Sequence, residues 1–166
     1  MPTHNRGRVR RLLGSSRARL GLVAALAAAI VATPALSTPP SGVVGPILAR
    51  GTLDGKARLK IKSPTSDAVV QHLTIAPGGN TGWHSHPGPV VVVVASGTLT
   101  MYQGRDRNCM PHEFPAGETF IDPGRGNVHI ARNEGTTPVE LYATYLDVPV
   151  GGAFRIDAAD PGHCSF

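Results

Sequence analysis

From residue 58 onward the hydrophobic and polar positions follow no helical period. Short apolar or alternating runs recur instead, each bounded by Gly, Pro, Asn or Asp. They are "RLKIK" (58–62), "AVVQHLTIA" (68–76), "TGWHSH" (81–86), "PVVVVVA" (89–95), "GTLTMYQ" (97–103), "ETFID" (118–122), "VHIAR" (128–132) and "VELYATYLDV" (139–148). β-Branched and aromatic residues dominate these runs, and the regular return of turn residues predicts an all-β sandwich or barrel. The valine run lacks alternation, so it predicts a central strand buried on both faces. In the last run neither face is wholly polar, as expected of a strand that lines an interior cavity. Its Tyr142 and Tyr145 fall on opposite faces, so at most one of them reaches that cavity.

The chain has 166 residues, 41% of them hydrophobic, which suits one domain with an ordinary core. Its net charge of +5 changes meaning once it is split by position. Arg6, Arg8, Arg10, Arg11, Arg17 and Arg19 lie at the start, with no acid among them; past residue 37 there are 10 basic and 11 acidic side chains, a net charge of −1. The body therefore has no basic surface for nucleic acid. The start reads as an export signal: an arginine-rich region, thirteen apolar residues from Leu20 to Ala32, then small residues suited to cleavage around Ala35 and Ser37. Arg10-Arg11 is a weak mark of the twin-arginine route. The apolar run is shorter than the roughly 20 residues of a membrane span, so contact with a membrane would come only through an uncleaved leader. This predicts a leader over 1–37, a Pro/Gly-bearing linker over 38–50, a domain over 51–166, and a secreted or periplasmic, cell-envelope location.

Export bears on the two cysteines. In an oxidising compartment Cys109 and Cys164 are expected to form one disulfide that staples the C-terminal tail to the domain. A rival reading groups Cys109, His112, His163 and Cys164 as zinc ligands, for which the adjacent His163 and Cys164 are poor chelate geometry.

The chemistry gathers around "GWHSH". His84 and His86 stand two apart, so on an extended strand both imidazoles project from one face and can converge on an ion. The spacing Gly78, His84, His86, Gly97, followed by Gly117, Pro123, Gly126, His129, Asn133, resembles the two motifs of the cupin superfamily over roughly residues 68–148. The second motif carries one extra residue in its turn, "PGRG". The resemblance implies a jelly-roll of two antiparallel sheets around a small cavity. It also implies that His84, His86 and His129 hold one divalent metal, whether Fe, Mn, Zn, Cu or Ni, and that the protein pairs as a homodimer. The pattern departs at Val90, where the superfamily places a glutamate ligand, and Val91 supplies none either. Glu113, Glu118, Asp122 and Glu140 are the other acids nearby, with Glu118 and Asp122 flanking a turn where solvated positions are common.

Three neutral imidazoles leave the full charge of a divalent ion uncompensated, so such a centre favours an anionic ligand. Two functional readings stay open. One is an exported metal-binding cupin working as a mononuclear, three-His, dioxygenase-like enzyme on a small anionic substrate; some cupin dioxygenases use three histidines. The other is a non-enzymatic cupin of the cell envelope that binds a small ligand or a metal. Strand parity turns Trp83 away from the histidines and into the sandwich core, makes His72 an ordinary strand histidine or a cavity lining, and leaves Asn133 to fix the turn after the second motif. The serines form no Ser-His-acid grouping and no Gly-rich phosphate loop opens a helix.

Overall fold

The computed structural model describes residues 41–42 and 45–166, so the expected leader and the first part of the linker lie outside them. The regular elements among the described residues are strands: β1 (Thr52–Leu53), β2 (Asp67–Ile75), β3 (His84–Ser85), β4 (Val90–Ser96), β5 (Thr98–Gln103), β6 (His112–Pro115), β7 (Glu118–Asp122), β8 (His129–Arg132), β9 (Val139–Val148) and β10 (Ile156–Asp157). They form two five-stranded sheets, ordered β1-β7-β4-β9-β2 and β10-β3-β8-β5-β6. The pairings are antiparallel except for β1 on β7. This is the two-sheet jelly-roll that the run pattern and the motif spacing predict.

Alternation decides what each strand gives to the core. From the first sheet Ile75, Val90, Val92, Val94, Leu141, Ala143 and Tyr145 are buried together, and Leu99 and Ala131 join them from the second. The valine strand departs from expectation: Val90, Val92 and Val94 are buried, whereas Val91 and Val93 are half-buried. Its second face looks out of the sandwich, where Val91 pairs with Ile121 and Thr144 and Val93 pairs with Thr119 and Tyr142.

Two other expectations are corrected. The "RLKIK" segment forms no strand. Side chains rather than a sheet edge take up its backbone groups. Asp147 accepts hydrogen bonds from the backbone N–H of Lys62 and Ser63, at 3.0 and 2.9 Å, and Arg125 donates to the Lys60 carbonyl. Trp83 is buried, but not in the sandwich core. It packs with Tyr102 and Ile130 in a separate cluster that also takes in Cys109 and Cys164. Phe166 closes that cluster, stacking on Trp83 with ring centroids 6.4 Å apart and lying against Tyr102.

Cys109 and Cys164 are joined in a disulfide, and both ring nitrogens of His163 contact backbone carbonyls, those of Pro161 and Asp106. That arrangement leaves no thiolate for a zinc site. The bridge holds a tail whose earlier part, β10, pairs with β3: Ile156 faces Ser85 and Asp157 faces His84.

The loops of the two motifs close on each other at glycines. Gly124 (φ +63°) lies so near Gly88 that a Cβ built on it would fall 1.8 Å from the Gly88 carbonyl oxygen, so only glycine fits. Beside this contact the Arg125 N–H donates to the His86 carbonyl at 2.7 Å.

Candidate metal centre

His84 enters on β3, His86 follows one residue past its end, and His129 opens β8, directly opposite His84 in the antiparallel register. All three are buried, and their donor nitrogens lie within 4.8 Å of one another. An ion with bonds of roughly 2.0–2.1 Å to imidazole sets its donors about 3 Å apart, so modest ring rotations bring this set onto one ion.

Each ring is held from behind. His84 Nδ1 lies 2.8 Å from the Gly82 carbonyl, His129 Nδ1 lies 3.0 Å from the Asn127 carbonyl, and His86 Nδ1 lies 2.9 Å from the Phe154 carbonyl. A carbonyl only accepts, so each Nδ1 carries the proton and each Nε2 keeps its lone pair. Carbonyl support at one ring nitrogen is the arrangement that orients metal-ligating histidines. Charge state agrees for the first two rings. Burial, ahead of the opposing hydrogen bond to Gly82, pushes His84 down to about 3, and burial likewise lowers His86. Both stay neutral at physiological pH, the form in which imidazole binds metal.

The triad opens on a cavity of about 420 Å³ between the sheets, in the usual range for a small-molecule site. Its walls are mainly apolar, with Leu73, Val90, Val92, Met101, Phe120 and Leu141 among them. Tyr145 reaches it and Tyr142 does not. The Tyr145 hydroxyl donates to Gln71 Oε1 at 3.0 Å, and burial raises its pKa, so it remains a phenol. Tyr142 stacks outside on His72, which also faces Glu140 at 3.8 Å. His72 and Glu140 thus belong to the outer surface. Glu113 and Glu118 are exposed.

Sequence reasoning passed over two cavity groups and set aside a third. Arg155, next to β10, is the one Lys or Arg side chain among the described residues lining the cavity, and its Nε pairs with Asp157 at 2.8 Å. Phe154 lines it too and supplies the carbonyl behind His86. Asp122, expected to be solvated, is only 3% exposed and faces inward. The available signal was parity: in "TFIDP" Asp122 falls on the same strand face as Phe120.

Residues 71–148 match the family model for the cupin domain. Similar solved structures include an uncharacterised protein with a double-stranded β-helix domain from Klebsiella pneumoniae (25% identity, 67% of this chain and 91% of that one, TM-score 0.45). A cupin domain from Bordetella pertussis is similar at 22% identity over 60% of this chain and 96% of that one, TM-score 0.42. An oxalate oxidase is similar at 27% identity over 46% of this chain and 40% of that one, TM-score 0.41. No curated protein matches the chain. The match over residues 71–148, together with the two-sheet fold, shows that the chain carries a cupin domain.

Proposed function

We propose that this protein is an exported metal-binding cupin that holds one divalent ion on His84, His86 and His129 and acts on a small anionic substrate. One observation carries the reading: three buried imidazoles whose Nδ1 atoms all face backbone carbonyls while their donor nitrogens gather within 4.8 Å. Purely structural histidines buried on both edges would spend both nitrogens on protein partners, whereas these pair one nitrogen each and turn the other toward the cavity. When bound, such an ion supplies Lewis acidity and, if it is redox-active, a route to oxygen chemistry.

The chain's own groups then divide the work. Arg155, though paired with Asp157, is the one Lys or Arg side chain among the described residues on the mainly apolar walls of the cavity, which favours a substrate bearing a carboxylate or similar anion. Val90, Val92 and Leu141 give the cavity apolar walls, and the Tyr145 phenol offers a hydrogen bond within the same space. The apolar lining also suits the alternative, a non-enzymatic binder of small ligands. Asp122 and Tyr145 favour the enzyme, because a passive apolar binder has no use for a carboxylate and a phenol at its centre. The Cys109–Cys164 bridge and the arginine-rich leader support export.

The test is metal analysis of the mature protein after reconstitution with Fe, Mn, Zn, Cu and Ni in turn, beside a His84→Ala/His86→Ala double variant. The wild type is expected to retain about one equivalent of at least one metal and the variant almost none. Equal, low metal content in both would sink the proposal.

A further inference from the structure

We propose that Asp122 is the acidic partner of this centre, with its Oδ2 accepting a hydrogen bond from a water or hydroxyl group carried by the ion. The proposal rests on the metal reading above and adds to it a residue outside the ligand set.

The two oxygens of Asp122 are treated differently. Oδ1 accepts a hydrogen bond from Asn127 Nδ2 at 2.8 Å, whereas Oδ2 is buried and has no hydrogen-bond partner among the described residues. An unpartnered carboxylate oxygen inside a low-dielectric cavity is expensive. No cation offsets it directly. Arg155 is paired with Asp157, and His129, at 3.9 Å from Oδ2, turns its Nδ1 proton to the Asn127 carbonyl instead.

Asp122 does line the cavity of the three histidines. The set whose donors lie within 4.8 Å of one another comprises the three imidazoles, and Asp122 meets His129 at the Nδ1 edge, away from the ligating nitrogen. That edge puts it next to the three histidines rather than among them, and a small turn of its side chain would offer Oδ2 to what the ion carries. Asn127 ties the two parts together: its carbonyl fixes the His129 ring and its amide fixes the carboxylate. The location is also specific. On the paired strands β4 and β7, Asp122 stands opposite Val90, with both residues facing the cavity. A carboxylate on β7 thus supplies the negative charge that position 90 does not, and offsets part of the ion's charge without occupying a coordination position.

The test uses Asp122→Asn, which keeps an oxygen for Asn127 and turns the unpartnered oxygen into a donor. The full domain with its disulfide is titrated with cobalt(II) against a chromogenic chelator, and the visible spectrum of the cobalt form is recorded. The expected result is a Kd raised about 10- to 100-fold, with shifted visible bands and an unchanged fold by circular dichroism. A Kd within about twofold of wild type together with a superimposable cobalt spectrum overturns the role of Asp122. If the variant does not fold, the wild type carries the test through its infrared difference spectrum between apo and cobalt-loaded forms, with 13C-labelled aspartate. A perturbed carboxylate band supports the proposal and its absence overturns it, since Asp122 is the one carboxylate among the described residues lining the cavity. A wild type that binds no cobalt or other metal defeats the metal reading itself, which is a different result from an Asp122 variant that binds normally.

Discussion

Replacing Asn133 by alanine would remove a knot that ties two segments together through three hydrogen bonds. The side chain is 1% exposed, its Nδ2 donates to the carbonyls of Ile75 and Thr137 at 2.8 Å each, and its Oδ1 accepts from the Gly135 N–H at 3.0 Å. It thereby joins the end of β2 to the turn between β8 and β9. Alanine strands one fully buried carbonyl, at a cost of about 2 kcal/mol, and two partly buried partners, at about 1 kcal/mol each, for a total near 4 kcal/mol. Asn133→Asp separates the donors from the acceptor. It keeps an acceptor for Gly135 but turns a second oxygen toward two carbonyls, so at neutral pH it should be at least as destabilising as alanine. Those carbonyls favour the protonated acid, which raises its folded-state pKa above the unfolded value of about 3.9. The variant is therefore least destabilised below that value, and the deficit grows as pH rises through the folded pKa. Urea unfolding at pH 4 and pH 7, followed by the emission of Trp83, measures both effects. A loss under about 1 kcal/mol for Asn133→Ala, or an Asn133→Asp variant more stable than alanine at pH 7, would refute the reasoning.

Two further perturbations test how the edges of the domain are held. Asp147 has its carboxyl held down at about 2, first by the Ser63 hydroxyl and then by the N–H groups of Ser63 and Lys62. Its contribution to stability is complete above the ordinary carboxylate range and disappears as pH falls through about 2, so Asp147→Asn should flatten the acid limb of an unfolding curve; an unchanged limb would contradict it. Replacing Cys109 and Cys164 together by serine opens a loop closed across 55 residues, which by chain entropy costs about 4 kcal/mol. As Phe166 leaves Trp83, the emission should shift to the red. An unaltered Tm with unaltered emission would show that the tail docks without its bridge.

The histidine triad was legible because a two-residue spacing puts His84 and His86 on one face and the resemblance of the second motif points to His129. Strand parity also narrowed Tyr142 and Tyr145 to one cavity residue, and the fold shows it is Tyr145. Parity misled where the outside mattered. The unbroken valine run implied two buried faces, but a half-buried outer face accepts valine as readily as a core does. "RLKIK" has a strand's alternation, but its backbone groups are taken up by Asp147 and Arg125 instead, and alternation alone forms no ladder. Asp122 was set aside because it precedes a Pro-Gly turn, the usual setting of a solvated acid. The carbonyl of Phe154 was beyond reach, since any residue type presents one and β10 is too short for a hydrophobic period.

The order of strands in the first sheet has a consequence for how the chain becomes a protein. β4, the valine strand, lies between β7 and β9, both made later, and β2 has to wait for β9 as its partner. Until β7 has emerged the most β-prone segment of the chain has neither neighbour, and until β9 follows it has only one. Pairings between strands so distant in sequence close slowly. A chain that acquires its sheet only near the end of its synthesis is therefore most open to aggregation midway, at Val90 to Val94, and gains from being kept unfolded until β9 has followed.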